Sequence, residues 1–338
     1  MKGIRVTNKT RIFVACPASI ATGGPELLHQ LVCELRKLNV DAVMYYYNMK
    51  GNTSPVHAAY VNYGNPYESE IIDKHDNVLI VPEVKTDLIM CMVNIQKVVW
   101  WLSVDNYYKS VSSSSIIINI AKIILYTLGI KKTPFRFKKN HRDPIQHFVQ
   151  SFYAKNHILE HCINPSSIQY LSDYLNVHFI DSQKDQNEEK VNIVAYNPKK
   201  GMMFTRKLIK FASDIQFVPV QNMTREEVFN LLSKAKVYID FGNHPGKERI
   251  PREAAICGAC VIINKQGSAM YNEDVPIPER FKFEGSEEDI PGVINLIKDC
   301  FENYEVLIME FIEYRKLIEH EPEKFIEDLK KIFRKCNI

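Results

Sequence analysis

The feature that most constrains the fold is a repeated alternation of short apolar segments with amphipathic helical segments. Arg11–Pro17 is an apolar run, and a helical spacing of leucine and valine then predicts a helix over residues 25–38. Such alternation is typical of parallel sheets whose strands are joined by crossover helices. Further apolar runs in the first half predict four buried strands, at residues 41–47, 77–83, 97–105 and 145–151.

A second alternating series follows a polar segment, residues 181–190, which contains no apolar residue. Its predicted strands are residues 190–197, 215–220, 236–242 and 259–264. Thr224 and Glu227 have the spacing of a capping box at the start of an intervening helix. From Ser286 to the end of the chain, the pattern predicts helices.

The length of the chain, 338 residues, is more than one hydrophobic core usually organises. We therefore predict two doubly wound α/β domains with parallel sheets, residues 1–184 and 185–338, the second closed by C-terminal helices. The first domain carries an apolar and basic insertion at residues 107–143. Ligands of such domains bind at the carboxyl ends of the strands.

Charge and cysteine content exclude several classes of function. Lys and Arg (43) nearly balance Asp and Glu (40), which argues against a surface built to bind nucleic acid. The eight cysteines are scattered, and Cys257 and Cys260 form a lone CxxC, so we expect reduced thiols and no metal site. The first residues lack an apolar signal segment, and we expect a cytoplasmic protein.

Residues 223–269 carry the pattern most specific for a function. A predicted helix and strand lead into a loop rich in Gly, Pro and cations, then a short helix, Glu253-Ala-Ala-Ile-Cys-Gly258, and a final apolar strand. This order resembles the donor-binding segment of nucleotide-sugar-dependent glycosyltransferases of the GT-B fold, of the bacterial surface-glycan type. The resemblance implies two Rossmann-like domains facing a central cleft. It also implies transfer of a sugar from a nucleoside diphosphate to a hydroxyl of a glycan or a lipid-linked acceptor.

The same segment supplies candidate donor ligands. By resemblance, Glu253 binds the ribose, and a carboxylate near a helix N-terminus can accept hydrogen bonds from both vicinal hydroxyls. Three cations of the loop are candidates for contacts with the diphosphate, namely Lys247, Arg249 and Arg252. Many retaining members have a second glutamate eight positions before the ribose ligand, where this chain has Pro245. His244 precedes that position and is a candidate catalytic contact, and the stereochemistry stays open.

Two other strand-to-helix turns offer further donor contacts. Lys199 and Lys200 follow the first strand of the second domain, where GT-B enzymes commonly place a basic residue against the diphosphate. Gly23 and Gly24 lie in the first turn of the first domain, where glycine lets the backbone approach a ligand closely. The GT-B resemblance implies that cations and helix ends hold the leaving diphosphate, so we expect no obligatory cofactor or metal.

An inverting transferase needs a base that deprotonates the acceptor hydroxyl. Asp105, at the end of a predicted strand of the first domain, is the first candidate, and Asp240 and Asp173 are weaker ones. Asp is equally favoured as the cap of a following helix. Trp100 and Trp101 in the same strand are expected in the core rather than at a sugar.

Residues 116–142 combine an apolar helix with a basic stretch. The helix predicted at 116–130 is too short to span a bilayer, and its polar residues fall on one narrow stripe. Six cations follow, with Phe135 and Phe137 between them. This pattern predicts a peripheral protein on the anionic inner face of the cell membrane rather than a nucleic-acid binder. A buried core helix with a solvated basic loop, and an oligomer contact, are the alternatives.

Two other functions fit the same pattern less well. A nucleotide-sugar epimerase shares the fold and binds the nucleotide-sugar in the same way, but an apolar and basic insertion is not expected in such an enzyme. A non-catalytic, membrane-associated binding or scaffold module with a degenerate transferase fold is consistent with Pro245 in place of the first glutamate.

Overall fold

The computed structural model describes residues 3–49, 51, 54–112, 115–182 and 189–334. They form two compact units. The first contains the chain up to Asp173 and the segment from Lys324, and the second is Tyr174–Glu323. The predicted boundary at 184/185 differs from this division, which lies at 173/174 and assigns most of the last helix, from Lys324, to the first unit. Its Phe325 stacks on Trp100 there, with ring centroids 6.4 Å apart. The predicted linker, 181–190, lies mostly outside the described residues.

The first unit is built on a parallel sheet of seven strands. Apolar residues on both faces bury the central strands of this sheet almost completely, as expected when helices cover both sides. The strands are β1 (Arg11–Pro17), β2 (Asp41–Tyr47), β3 (Tyr67–Glu68), β4 (Val78–Pro82), β5 (Gln96–Trp101), β6 (Ile145–Val149) and β7 (Ile168–Tyr170). Their order across the sheet is β3-β2-β1-β4-β5-β6-β7.

The helices of the first unit connect these strands. They are α1 (Gly23–Lys37), α2 (Val104–Val111), α3 (Ile116–Thr127), α4 (Phe137–Asn140) and α5 (Phe152–Glu160). Helix α1 begins two residues earlier than predicted. Pro25 is its third residue, where a helix needs no N–H donor. Trp100 and Trp101 are fully buried, which confirms that they belong to the core.

The second unit has a parallel sheet of five strands. They are β8 (Val191–Tyr196), β9 (Gln216–Pro219), β10 (Ala235–Asp240), β11 (Cys260–Asn264) and β12 (Lys282–Phe283). Their order is β12-β11-β10-β8-β9. The helices are α6 (Val177–Ser182), α7 (Met202–Phe211), α8 (Arg225–Lys234), α9 (Arg249–Ile256), α10 (Ile290–Glu302), α11 (Tyr304–Leu307) and α12 (Ile312–Glu319). Helix α13 (Glu321–Ile332) begins in this unit and belongs to the first unit from Lys324 onward.

Three predictions about these elements are confirmed. Both sheets are parallel with crossover helices, and the chain after Ser286 is almost wholly helical. Thr224 and Glu227 form the predicted capping box at the start of α8.

The strand order reverses its direction of growth at one point in each sheet. The reversal lies between β1 and β4 in the first unit and between β8 and β10 in the second. The crevice outside the carboxyl ends of the strands at such a point is where open α/β sheets bind ligands.

Candidate functional site

The loops that follow β8 and β10 touch each other through two glycines. Gly201 has a φ of +62°, and a Cβ atom there would lie 2.2 Å from the carbonyl carbon of Phe241. A Cβ atom on Gly242 would lie 2.1 Å from Cβ of Lys200. Neither position accepts a larger residue without moving the backbone, so glycine at both sites brings the two loops into contact.

The side chain of Asp240 holds the same two loops together through hydrogen bonds. Its carboxylate accepts hydrogen bonds from the Gly242 N–H (2.9 Å), from Asn197 Nδ2 (3.1 Å) and from the Tyr238 hydroxyl (3.2 Å). Asp240 is 2% exposed. Burial and the neighbouring carboxylate raise the pKa of Tyr238 well above its ordinary value, so this phenol stays a hydrogen-bond donor. These contacts give Asp240, a weaker candidate for the base, a role in holding the loops.

Lys199 and Lys200 lie on the outer side of the joined loops. The backbone N–H of Lys199 donates to Asn197 Oδ1 (3.0 Å), and the side chain of Lys199 is exposed. Lys200 Nζ lies 2.7 Å from Glu248 Oε2 and donates to the carbonyl of Asn243 (3.2 Å). Both ammonium groups of this turn therefore stand at the carboxyl end of β8.

Arg249 and Glu253 face each other on α9. Glu253 Oε1 accepts from Arg249 Nη2 (2.7 Å) and Nε (3.1 Å). The carboxylate is buried, with 3% of its side chain exposed, whereas Arg249 keeps 33%. Glu253 is the fifth residue of the helix, and Glu248 occupies the N-cap position. Glu253 therefore does not cap its own helix, and the guanidinium separates it from solvent.

Helix α9 is fixed at its other end by Lys190. This ammonium group donates to the carbonyls of Leu232 (3.2 Å), Ala235 (3.1 Å) and Cys257 (2.7 Å), which end α8 and α9. A cation at two helix C-termini is favoured by both helix dipoles. The sequence pattern did not single out Lys190, because the side chain of a Lys before a strand is usually exposed to solvent.

Lys247 and Arg252 lie in the interior of the second unit, contrary to their predicted place at a diphosphate. Arg252 Nη1 lies 2.7 Å from Glu321 Oε2, and Lys247 Nζ lies 3.5 Å from Oε1 of the same carboxylate. All three side chains are at most 5% exposed. The physical reason is Glu321, whose charge offsets the burial of the cations. Its position, about 70 residues further along the chain, gave no signal in the loop sequence.

His244 is also buried, at 1% exposure. Its Nε2 lies 3.4 Å from the carbonyl of Asp240, and its own carbonyl accepts from the Ser268 N–H (2.8 Å). With Lys247 and Arg252 it lines a cavity of about 10 Å³, which holds about one water molecule. The histidine named as a candidate catalytic contact is thus an interior residue.

The predicted residues of the first unit stand at the carboxyl ends of its strands. Gly23 and Gly24 are the half-buried first residues of α1, directly after β1. Asp105 is not the end of a strand, because β5 stops at Trp101. It is the second residue of α2, half-buried, and Ser103 caps that helix by accepting from the Asn106 N–H (3.2 Å).

Glu83 is a candidate that the sequence pattern did not single out. It follows β4 directly, is 2% exposed, and accepts a hydrogen bond from the Leu102 N–H (3.0 Å). Gln150 Nε2 donates to the carbonyl of the same Leu102 (2.5 Å), so the turn that leads to Asp105 is held from both sides. Burial raises the pKa of Glu83 to about 7. The only signal in the sequence was an acid at the end of an apolar strand.

Helix α3 presents its apolar face to solvent. The exposed side chains are Ile117 (79%), Ile118, Ile120, Ile123, Ile124, Leu128 (66%) and Ile130. The polar stripe points the other way: Lys122 Nζ donates to the Ser110 carbonyl (3.2 Å), and Asn119 and Tyr126 are half-buried. The prediction of a cationic-aromatic patch needs correction, because Phe135 and Phe137 are buried in the core of the first unit. Their rings anchor the basic segment instead of facing outward.

Among the residues described, helices long and apolar enough to cross a bilayer are absent. In the same residues, His, Cys, Asp and Glu side chains form no group of three that could hold a metal ion.

Comparison with solved structures identifies the fold. HepE from Anabaena in complex with UDP and glucose superposes with a TM-score of 0.59 at 10% identity, over 95% of this chain and 98% of that one. WaaG, a glycosyltransferase involved in lipopolysaccharide biosynthesis, gives 0.54 at 12% identity, over 94% and 98%. At such low sequence identities, the similarity to these structures supports a conclusion about the fold alone. It confirms the predicted GT-B fold.

Sequence comparison gives a partial match. An alpha-1,6-glucosyltransferase of Actinobacillus pleuropneumoniae serotype 7 (strain AP76) is 26% identical over 176 residues. The match covers 45% of this chain and about half of that relative, 53%. No protein-family model matches the sequence.

Proposed function

We propose that this GT-B chain is a glycosyltransferase that moves a sugar from a nucleoside diphosphate to a hydroxyl of a glycan or lipid-linked acceptor in surface polysaccharide biosynthesis. One observation carries the proposal: a buried carboxylate, Glu253, lies under Arg249 on the helix that follows β10, where the strand order of the second sheet reverses. UDP-glucose, the ligand of HepE in one solved structure, is the kind of donor that this arrangement suits.

Donor binding would rearrange the contacts of Arg249. A planar guanidinium forms paired hydrogen bonds with phosphate as readily as with carboxylate. When Arg249 turns to the diphosphate, Glu253 Oε1 loses the guanidinium donors and can accept from the two ribose hydroxyls. Lys200 would likewise exchange Glu248 for phosphate, and the exposed Lys199 would add a third charge. Lys247, Arg252 and His244 then support the loop from beneath.

The first unit would supply the acceptor side. Asp105 would take the proton of the acceptor hydroxyl while that oxygen attacks the anomeric carbon. The bond from the anomeric carbon to the diphosphate breaks, and its electron pair leaves with the nucleoside diphosphate. Glu83 and Gln150 hold the turn before Asp105. Gly23 and Gly24 would face the donor or acceptor from the start of α1, and a Cβ atom on Gly24 would lie 3.8 Å from Leu102 of the same turn.

The enzyme would work peripherally on an anionic membrane surface through residues 116–142. The exposed Ile and Leu face of α3 is costly in water and becomes favourable in lipid. The six cations of residues 131–142 favour an anionic surface over a neutral one.

The test is donor binding by two matched variants. After a thermal-shift screen of UDP-, GDP-, CMP- and dTDP-sugars, the selected donor is titrated into Glu253→Ala and Glu248→Ala. Glu253→Ala should lose about 1.5–3 kcal/mol of donor affinity, the range for hydrogen bonds to a charged group. Glu248→Ala removes an equal charge, next to Lys200 instead of Arg249, but no ribose contact, so the donor affinity of this variant should stay the same or rise. Unchanged affinity in a folded Glu253→Ala protein would refute the ribose assignment.

A further inference from the structure

A cavity in the first unit lies beside the apolar helix α3. Its lining consists of Met90, Cys91, Lys132, Thr133, Lys139 and Asn140, and its volume is about 270 Å³. Drug-sized ligands occupy pockets of about 300–1,000 Å³. The cavity is therefore suited to a small polar group, and two ammonium groups at its wall select an anion.

The two lysines reach the cavity from different elements. Lys132 follows α3, whose last turn is closed by the Lys131 N–H bonded to the Leu125 carbonyl (3.0 Å). Lys139 belongs to α4, which the buried Phe137 anchors in the core. Their convergence is thus a property of the fold and not of a flexible basic tail.

The two sides of the cavity are fixed as well. Asn140 Oδ1 accepts from the Arg136 N–H (2.9 Å), and its Nδ2 donates to Asp143 Oδ2 (2.9 Å). Cys91 Sγ donates to the carbonyl of Asp87 (3.0 Å). An anion entering the cavity would therefore meet Lys132 and Lys139 in a pre-formed pocket, without the cost of ordering the backbone.

The position of the cavity identifies the ligand. Lys132 lies four residues after Leu128, which directly follows α3 and is one of the most exposed apolar side chains of this segment. A free phosphate ion gains nothing from an adjacent apolar surface. A phospholipid, in contrast, carries its phosphate next to acyl chains that such a surface can contact. Charge and hydrophobicity therefore point to the same partner.

We propose that this cavity binds the phosphate of an anionic phospholipid headgroup while the apolar face of α3 enters the acyl region. The proposal rests on the membrane association proposed above and assigns it a specific lipid site. Diffuse attraction would depend only on the number of cations near the surface. A headgroup site depends on which lysines are present.

The experiment compares two double variants of equal charge. Lys132→Gln/Lys139→Gln removes the lysines that line the cavity, and Lys131→Gln/Lys138→Gln removes their equally exposed neighbours, which do not line it. Flotation with phosphatidylglycerol–phosphatidylcholine vesicles measures affinity, and pure phosphatidylcholine vesicles report the apolar contribution. Inorganic phosphate as competitor separates a headgroup site from a site for free phosphate. Donor turnover in vesicle-free buffer shows that the fold and the catalytic site are intact.

The control pair should weaken binding roughly 30-fold, at about fivefold per lysine beside an anionic surface. The cavity pair should weaken it at least about tenfold more, because it also loses hydrogen bonds to a charged group. Equal losses in the two pairs would overturn the headgroup site. The site would also be overturned if phosphatidylglycerol did not increase the affinity of the wild-type protein for vesicles. It would likewise be overturned if millimolar phosphate released the protein from phosphatidylglycerol-containing vesicles but left its binding to pure phosphatidylcholine vesicles unchanged. None of these outcomes affects donor turnover, so they leave the transferase proposal intact.

Discussion

Replacing Glu83 by Gln should change how the stability of the first unit depends on pH. The carboxyl is buried, and burial raises its pKa from the ordinary 4.5 to about 7. Because one pKa unit corresponds to 1.36 kcal/mol, keeping Glu83 ionised in the fold costs about 3 kcal/mol. The amide of Gln is uncharged at every pH and can still accept from the Leu102 N–H.

The sign of the effect follows from proton linkage. Between pH 4.5 and about 7, the folded protein holds the proton of Glu83 while the unfolded chain has lost it. The stabilising contribution is therefore full below pH 4.5 and is lost as the pH rises to about 7. Between pH 5 and pH 8, the variant should gain about 2–3 kcal/mol relative to wild type. His29 and His147, whose pKa values burial lowers to about 4 and about 3, affect both proteins alike.

Urea denaturation followed by tryptophan fluorescence measures this difference. Both tryptophans of the chain, Trp100 and Trp101, lie in β5 of the first unit, directly before Leu102. The signal therefore reports the unit that contains Glu83. A stability difference between variant and wild type that is the same at pH 5 and pH 8 would refute the assignment of a buried, protonatable Glu83.

Three further substitutions and one control substitution test the second unit, with unfolding followed by circular dichroism. Gly201→Ala should cost about 2–4 kcal/mol, because it forces a Cβ atom against the backbone at positive φ. Gly292→Ala, where a Cβ atom has an ordinary contact, should cost far less. Glu321→Gln should cost about 3–5 kcal/mol, since it removes a negative charge that two buried cations share. Lys190→Met should cost about 2–4 kcal/mol through three carbonyls that lose their donor, and a loss below 1 kcal/mol would contradict this role.

The architecture could be predicted from the sequence because it depends on local periodicity. Alternating apolar runs and helical spacings give parallel strands and crossover helices, and the capping box at Thr224 is a contact between residues three apart. The short helix around Glu253 was also predictable, since the Gly258 that follows it has a φ of +80° and ends it.

Side-chain partners distant in sequence could not be predicted. The cations Lys247 and Arg252 looked available for phosphate because Glu321 is far along the chain. The burial of Glu83 depends on neighbouring strands, and a Glu after a strand has no distinctive local pattern. For α3 the reverse holds: the pattern predicted an amphipathic helix, and only the fold shows that its apolar face is the outer one.

Titration of nucleotides tests the central claim most directly. The wild-type protein is titrated by calorimetry with a nucleoside diphosphate, the corresponding sugar donor and the bare nucleoside. The account predicts that diphosphate and donor bind more tightly than the nucleoside. It also predicts that Arg249→Gln reduces the preference for the diphosphate over the nucleoside, because the guanidinium forms hydrogen bonds with phosphate. Equal affinity for nucleoside and diphosphate, or no binding of any nucleotide by the folded protein, would contradict a donor site at the joined loops after β8 and β10.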